Sequence, residues 1–276
     1  MHLLSLKVKD KRTLLLINAY LKSGIMEGGL VSQRIEGTPQ GSPLSPLLSN
    51  IMLDELDKEL NKRGHKFLRY ADDCSIYVKS EKSAQRTMES IIKYIESELM
   101  LKVNWGKTKI SRAQESQLLG FSFYHTKGRY EIRISEKSLR RIKAKCKSRT
   151  KSSDPASETS KLLKLNEIIR GWVNYFKIAN AKSNMQKLDE MVRTRLRIMT
   201  WRRWKRIRTK VIHLMNLGIE QSRAYMWGNT SKKACRIAYS PILLRTLNIK
   251  YWRKAGCVGF RNYYSTWQTQ TCPSLF

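Results

Sequence analysis

Acidic residues are scarce in this 276-residue sequence. Its 22 Asp and Glu residues stand against 54 Lys and Arg residues, which gives a formal net charge of +32. A chain with this excess repels itself unless a polyanion neutralises it, so nucleic acid is the first partner class indicated and an anionic membrane surface the second. After residue 190, 18 basic residues accompany a single acid, Glu220. We therefore expect the backbone of a polyanion to run along the C-terminal third.

Paired cysteines, clustered histidines and long apolar runs are missing too. The five cysteines are scattered without a Cys-x-x-Cys pair, and the four histidines are dispersed. This pattern predicts neither a disulfide framework nor a zinc site, and it fits a reducing compartment such as the cytoplasm. No apolar run approaches the ~20 residues of a membrane-spanning helix. Charged residues within positions 7–12 also interrupt any apolar stretch of a signal peptide.

Two adjacent carboxylates, Asp72 and Asp73, are the most informative feature that the sequence does contain. Aromatic and apolar runs of strand length flank them, which favours a β-hairpin with the acids at its tip. Mg²⁺ prefers hard oxygen ligands and shares its other positions with water and substrate phosphates. An Asp-Asp pair alone is usually a solvated turn. The strands around this pair, and a Gly- and Pro-rich loop upstream, favour a metal site instead.

The upstream loop covers residues 37–46, with the sequence GTPQGSPLSP. The stretch from Gly37 to Ile51, which begins with this loop, closely resembles, together with Tyr70-Ala71-Asp72-Asp73, the reverse transcriptases encoded by group II introns, which also act as maturases. The resemblance implies a polymerase palm in which Asp72 and Asp73 bind two Mg²⁺ ions. Because neighbouring strand residues point in opposite directions, Asp72 is expected to be the main ligand and Asp73 a lesser one.

The same resemblance implies nucleotide- and template-binding roles for Thr38, Pro39, Gln40, Gly41 and Lys107. Glycines let backbone N–H groups approach a ligand, and the Gln40 amide can both donate and accept hydrogen bonds. Lys107 would steer the triphosphate or protonate the leaving group. From the residues alone, the loop is as readily a helix-entry turn, and Lys107 a solvated turn residue.

Two further segments resemble parts of the family. Leu119, Gly120 and Phe121 resemble the primer grip, a tight turn that supports the primer end, although by pattern alone they form a core strand. Residues 171–176, with the sequence GWVNYF, resemble a signature of the thumb, or maturase, domain. Trp172 and Phe176 are four residues apart on an apolar face, which favours core packing for these two rings.

A run of positive charge occupies residues 193–210, which include nine basic residues and no acid. We expect RNA to be bound by Arg197, Arg202, Arg203, Lys205, Arg206 and Arg208. Trp201 and Trp204 lie among them, and aromatic rings can stack on splayed bases while cations neutralise phosphates. A charge run is usually only a solvated face, but nine charges without an acid repel one another, which favours a bound polyanion.

The order of elements predicts an α+β fold. A partial polymerase palm, an antiparallel sheet with helices on one face, is expected over residues 1–134. An all-α thumb or maturase domain is expected over 135–230 and a basic tail over 231–276. Locally, we expect one uncapped helix over 1–22, a hairpin turned at Gly28-Gly29, strands at 102–105 and 107–111, and a long helix over 185–208. The zinc nuclease domain that some relatives carry is not indicated.

The function that the resemblance implies is that of a bacterial, cytoplasmic reverse transcriptase and maturase. Such a protein copies an RNA template from a DNA primer, using deoxynucleoside triphosphates (dNTPs), and binds its intron RNA to assist splicing. A palm also needs an earlier aspartate on a strand before the first helix. Asp10 does not match that motif, and the finger elements that grip the triphosphate are not found either. We therefore expect this polypeptide alone not to extend a primer.

Three alternatives stay open at this point. These alternatives are an inactive maturase fragment that retains only RNA binding, a retron-like reverse transcriptase, and a basic domain unrelated to nucleic acid. The long thumb with Gly171-Trp172 argues against the retron-like alternative, and the two spaced motifs argue against the last. The intron RNA that is bound and the oligomeric state do not follow from the sequence.

Overall fold

The computed structural model describes residues 1–23, 25–27, 30–32, 43–126 and 128–271. The chain divides into two compact units, Met1–Ala113 and Gln114–Phe276. Helices occur in both units together with small antiparallel sheets, which confirms the predicted α+β class. No helix in the described part of the chain is long and apolar enough to cross a membrane.

The first unit combines helices with two β-hairpins. In chain order its described elements are α1 (His2–Lys7), α2 (Lys11–Lys22), β1 (Ile25–Glu27), β2 (Leu30–Ser32), α3 (Ser45–Lys62), β3 (Lys66–Tyr70), β4 (Asp73–Tyr77) and α4 (Glu81–Ser97). Strands β1 and β2 pair with Glu27 opposite Leu30, which confirms the first predicted hairpin. Pro46 lies in the first turn of α3, where its missing N–H costs nothing.

Two local predictions for this unit are wrong. The single helix expected over residues 1–22 is interrupted, because the Asp10 side chain accepts hydrogen bonds from the N–H groups of Arg12 (3.1 Å) and Thr13 (3.2 Å) and caps α2. The strands expected at 102–105 and 107–111 are absent from this described segment. A turn replaces them, in which the Lys107 N–H donates to the Asn104 carbonyl at 3.0 Å.

The core of the first unit lies between α3, α4 and the β3–β4 hairpin. Its buried members are Leu56, Leu60, Ile91 and Leu99, and Phe67 and Ile76 of the hairpin pack against them. Burial of one such aliphatic side chain contributes about 1.5–3 kcal/mol. Alternate residues of a strand share a face, so Arg69 lies on the same inward side of β3 as Phe67. The core therefore holds one face of the hairpin against α3.

The second unit begins with a three-stranded antiparallel sheet of order β5-β6-β7 and continues with helices. Its described elements are β5 (Gln117–Leu118), β6 (Phe121–Thr126), β7 (Arg129–Ile134), α5 (Glu136–Arg149), α6 (Glu158–Phe176), α7 (Lys182–Arg203), α8 (Ile207–Asn216), α9 (Gln221–Gly228), α10 (Ala234–Ile237), α11 (Pro241–Thr246), α12 (Ile249–Lys254) and α13 (Phe260–Thr271). The helix predicted over 185–208 is wrong in extent, because α7 ends at Arg203 and α8 begins only at Ile207.

One large core joins the helices of the second unit, and it includes residues close to the C-terminus. Trp252, Phe260 and Tyr264 are buried in the same cluster as Leu165 of α6 and Leu188 of α7. The segment expected to be a basic tail therefore packs as part of this unit. The compact units also differ from the proposed boundaries at β5–β7, which belong to the second unit. The boundaries 1–134, 135–230 and 231–276 stay a prediction about functional domains.

Candidate active site and nucleic-acid interface

The predicted carboxylates lie at the tip of the β3–β4 hairpin. Tyr70 pairs with Asp73, so Ala71 and Asp72 form a two-residue turn between the strands. Ala71 has φ +50°, in the left-handed region that favours glycine and is strained for other residues. Asp72 and Asp73 are both exposed. A rigid ribbon thus presents two carboxylates to solvent from a strained turn.

Helix α3 holds this tip through Arg69. The Arg69 guanidinium donates to both oxygens of Asp57, from Nε to Oδ1 at 2.7 Å and from Nη2 to Oδ2 at 2.5 Å. Its Nη1 donates to Asn50 Oδ1 and to the carbonyl oxygen of Ala71, each at 3.1 Å. The hydrogen bonds to Asp57 raise the pKa of Arg69, and burial opposes them. One side chain thereby joins two positions of α3 to the backbone of the turn.

A second contact from α3 reaches the carboxylate itself. The Ser49 hydroxyl donates to Asp72 Oδ1 at 3.2 Å. Among the residues that the structure describes, no group of three His, Cys, Asp or Glu side chains could enclose a metal ion. Mg²⁺ commonly takes only one or two carboxylates from a protein and fills its remaining positions with water and substrate phosphates. The exposed pair Asp72 and Asp73 fits that requirement.

The predicted nucleotide-binding residues have different outcomes. Thr38, Pro39, Gln40 and Gly41 lie outside the described residues. Lys107 lies in the exposed turn after Trp105, as the solvated alternative expects. Its role in nucleotide binding stays a prediction.

The predicted primer grip is a tight turn between β5 and β6. Leu118 pairs with Phe121, and the two residues between them, Leu119 and Gly120, have φ +53° and +83°. The Gly120 carbonyl accepts from the Ser135 N–H at 2.9 Å and from the Ser138 hydroxyl at 3.2 Å. A Cβ at Gly120 would lie 2.6 Å from Ser138 Oγ. Only glycine fits this position without displacement of its neighbours.

Helix α6 also holds this turn in place. The Tyr175 hydroxyl donates to the Leu119 carbonyl at 2.9 Å, and its ring stacks on Phe121 with a centroid distance of 5.6 Å. Phe176 packs against Phe121 at 5.0 Å and against Trp172 at 4.8 Å. The GWVNYF segment therefore has a structural role, as its spacing predicts, and it also supports the turn that resembles the primer grip.

The RNA-binding prediction for 193–210 needs correction at three residues. Arg197 is only 6% exposed and donates from Nη2 to Thr194 Oγ1 at 3.2 Å, and burial lowers its pKa. In this conformation its guanidinium does not reach a ligand at the surface. Trp201 and Trp204 are 3% and 7% exposed, and Trp204 stacks on His213. Their rings belong to the core, so they cannot stack on bases.

Two other arginines of this run bind a loop of the protein. Arg202 Nη1 donates to Ser152 Oγ at 2.9 Å, and Arg203 Nη2 donates to the carbonyl of Ala156. The same loop is held by buried Lys161, whose Nζ donates to the carbonyls of Lys151 (2.8 Å) and Asp154 (2.7 Å). Lys205, Arg206 and Arg208 are exposed. Of the six predicted cations, these three and Arg202 are exposed, Arg203 is half-buried and Arg197 is buried.

Helix α5 carries dense exposed charge, and none of its residues is among those predicted to bind RNA. Helix α5 has one acid, Glu136, and seven exposed basic residues, while Ile142 and Cys146 on its opposite face are buried. The exposed cations are Lys137, Arg140, Arg141, Lys143, Lys145, Lys147 and Arg149. An open groove lies where Lys137, Arg140 and Arg141 approach Gln117 of β5. The count of seven cations in 14 residues was a signal available in the sequence.

Two protein-family models match this chain, one in each half. Residues 2–123 match the family model described as reverse transcriptase (RNA-dependent DNA polymerase). Residues 139–217 match the model described as group II intron, maturase-specific domain. The first match contains the Asp72-Asp73 hairpin, and the second contains α6, α7 and most of α5.

Curated relatives agree with these matches. The group II intron-encoded protein LtrA of Lactococcus lactis subsp. cremoris is 26% identical over 247 residues, covering 66% of this chain and 39% of the relative. Protein YkfC of Escherichia coli (strain K12) is 29% identical over 164 residues, or 46% of this chain and 43% of the relative. The retron Ec86 reverse transcriptase of Escherichia coli is 26% identical over 151 residues, which cover 53% of this chain and 43% of the relative.

The chain thus spans about two fifths of the length of these relatives. It combines a reverse transcriptase match with a maturase-specific match in the order that the sequence motifs indicate. The two family matches and the similarity to LtrA together support a group II intron reverse transcriptase and maturase.

Proposed function

We propose that the first unit contributes to the active site of an RNA-directed DNA polymerase. The observation that carries this proposal is the exposed Asp72-Asp73 pair at the hairpin tip, within a segment that matches the reverse transcriptase family. Asp72 and Asp73 would hold Mg²⁺, with Asp72 as the main ligand. The metal would acidify the primer 3′-hydroxyl and neutralise charge on the departing pyrophosphate. Ser49 would orient the Asp72 carboxylate, and Lys107 would attract the triphosphate.

The primer would be supported by the turn of Leu119, Gly120 and Phe121. Its backbone is held by Ser135, Ser138 and Tyr175, so the turn offers a fixed surface. The loop of Thr38, Pro39, Gln40 and Gly41 would contact the incoming nucleotide and template. These roles follow from the family resemblance, and the rigid hydrogen bonding of the turn supports the first of them.

The second part of the proposal is that the helical unit binds intron RNA and assists splicing. The exposed cations of α5, with Lys205, Arg206 and Arg208, support this role because phosphate neutralisation needs accessible charge. RNA binding would use residues 135–230 as the maturase domain and 231–276 as an integral, basic extension. The scattered cysteines support the cytoplasm as the location.

The catalytic proposal is tested by metal binding to the purified 276-residue chain. Mn²⁺ replaces Mg²⁺ as the probe, because its free and bound forms differ in electron paramagnetic resonance. We expect Asp72→Asn to weaken Mn²⁺ binding by more than tenfold, since it removes the main anionic ligand. Glu96→Gln, which removes an exposed acid from α4, is the matched control and should bind Mn²⁺ like the wild type. Unaltered Mn²⁺ binding by Asp72→Asn would refute the catalytic proposal.

A primer-extension assay distinguishes a functional polymerase from a fragment that only binds RNA. With an RNA template, a DNA primer, dNTPs and Mg²⁺, this polypeptide alone is expected to bind the template but not to extend the primer. Mg²⁺-dependent incorporation that Asp72→Asn abolishes would show a complete active site in this chain. Template binding without any metal binding at the tip would favour the alternative of an inactive maturase fragment.

A further inference from the structure

We propose that Arg69 and Ser49 are positioning residues that hold the Asp72 carboxylate in a fixed orientation for a divalent cation. Arg69 would act through the backbone of the turn, and Ser49 through the carboxylate itself. The inference rests on the proposed function, because it assumes that the hairpin tip binds the metal. It extends that function to Arg69 of β3 and Ser49 of α3, to which the resemblance assigns no role.

The geometry around Arg69 uses the shape of a guanidinium. Three of its nitrogens donate to four oxygens, two on Asp57, one on Asn50 and one on Ala71. Asn50 and Asp57 are seven residues apart on α3 and therefore share a face of the helix. A lysine ammonium is a point charge and cannot form the parallel pair of bonds to Asp57. The network thus requires arginine rather than any cation.

The contact with Ala71 explains how a strained turn persists. A non-glycine residue in the left-handed region costs roughly 1–2 kcal/mol, and such conformations persist where neighbouring contacts determine them. Arg69 Nη1 binds the carbonyl of that residue at 3.1 Å, and Asp72 is next in the chain. Loss of this bond frees the peptide that orients Asp72.

Charge pairing also leaves the carboxylates available. Asp57 neutralises Arg69 with a bidentate ion pair, and both side chains are mostly covered. Among the described residues, no cationic side chain forms an ion pair with Asp72 or Asp73. Ser49, a neutral donor, takes Oδ1 of Asp72 and leaves Oδ2 without a described partner. An incoming cation would therefore not have to displace a protein cation.

The test compares Mn²⁺ affinity with stability in the full chain. Variants Arg69→Met and Ser49→Ala remove the two contacts, and Ser49→Thr restores a hydroxyl. Arg63→Met is the matched control, because Arg63 binds Glu59 (2.7 Å) and Ser90 (2.6 Å) in the same unit but does not contact the tip. Partners that orient a metal ligand typically contribute 10- to 100-fold to metal affinity. We therefore expect about tenfold weaker Mn²⁺ binding in Arg69→Met and in Ser49→Ala.

The control variants decide between positioning and general stability. Arg63→Met should lower the urea midpoint as Arg69→Met does, yet bind Mn²⁺ like the wild type, and Ser49→Thr should retain wild-type affinity. If Arg69→Met fails to fold, Ser49→Ala still tests the orientation of the Asp72 carboxylate, because Ser49 is only half-buried and its substitution should leave the fold intact. Wild-type Mn²⁺ affinity in both variants, with loss in Asp72→Asn, would overturn this inference alone. Wild-type affinity in Asp72→Asn would instead refute the proposed function.

Discussion

The position of Gly120, in the turn between β5 and β6, admits no side chain. Gly120 combines φ +83° with a position where a Cβ would lie 2.6 Å from Ser138 Oγ and 3.3 Å from the Phe176 ring. Gly120→Ala should therefore lower the free energy of unfolding by about 2–4 kcal/mol, the sum of backbone strain and overpacking. Urea denaturation of the whole chain, followed by circular dichroism, measures this loss.

Gly128→Ala is the matched control for that experiment. Gly128 has φ +78°, but nothing lies within 4 Å of its added Cβ. Its substitution should cost only the strain of a left-handed alanine, about 1 kcal/mol. Equal decreases in the free energy of unfolding of the two variants would show that the close packing around Gly120 does not add to the cost of the substitution.

The roles of residues with a recognisable motif function could be predicted from the sequence, whereas the residues that hold them in position could not. Asp72, Asp73 and Gly120 stand in short patterns whose backbone demands are recognisable. Arg69 and Ser49 are single polar residues, and their roles depend on which helix packs behind the hairpin. One signal was available: Arg69 occupies the same parity of β3 as Phe67, so a charged side chain at an inward position required a partner.

At the scale of elements, helix α13 depends on a carboxylate from another helix. Asp189 of α7 accepts hydrogen bonds from the N–H groups of Phe260 (2.7 Å) and Arg261 (3.0 Å) at the start of α13. Asp189→Ala leaves two N–H groups unpaired and should lower the free energy of unfolding by about 1–3 kcal/mol. Hydrogen exchange along residues 260–267 should rise more than exchange in α6. Glu190→Ala, at the exposed neighbouring position, is the control and should change neither measurement.

The pH dependence of Asp189 has a defined sign. Burial raises its pKa above the ordinary 3.8, and the two N–H donors only partly oppose this shift. The folded state therefore holds this proton more tightly than the unfolded state, so the contribution of Asp189 falls as pH rises from 3.8 through the folded pKa. Asp189→Asn does not titrate. The stability advantage of the wild type over Asp189→Asn should be larger at pH 4 than at pH 7, and the reverse order would contradict the assignment.

The apolar periodicity of the sequence predicts that helices form, but it does not predict where α7 ends or where α8 begins. The apolar steps of α4 and α6 predict both helices, and the Ser80 side chain caps α4 by accepting a hydrogen bond from the Ser83 N–H. The break after Arg203 has no Gly or Pro to mark it. It coincides with Trp204, whose ring is buried against Trp201 and His213. Tertiary packing of one aromatic side chain thus overrides a helical pattern that is continuous in the sequence.

At the scale of the whole molecule, net charge identifies the partner class but not the surface. The run at 193–210 is divided between the core, a loop contact and solvent, whereas α5 exposes all seven of its cations. Charge counting cannot make this distinction, because burial and hydrogen bonding decide which cations remain accessible. We therefore expect the exposed cations of α5 to contribute more to RNA binding than Arg197 and its aromatic neighbours.

Salt dependence measures how many of these cations contact phosphates. The chain should bind single-stranded RNA with an affinity that falls steeply as salt increases, because each phosphate contact releases about 0.7 counterion. Neutralising Lys137, Arg140 and Arg141 to Gln should reduce the slope of log K against log salt by about 2. Filter binding between about 50 and 300 mM KCl, at several concentrations spaced evenly on a logarithmic scale, would give the slope.

The paired variant Arg202→Gln/Arg203→Gln controls for charge removal elsewhere. These guanidiniums donate to Ser152 and Ala156, so their loss should release the loop and lower stability while leaving most of the salt slope intact. A general field effect would instead lower affinity in proportion to the charge removed, whichever residues were changed. If the double variant reduced the slope as much per charge as the α5 variant, the exposed face of α5 would not be a specific RNA contact. A reduced slope confined to the α5 variant would place the phosphate backbone along that helix.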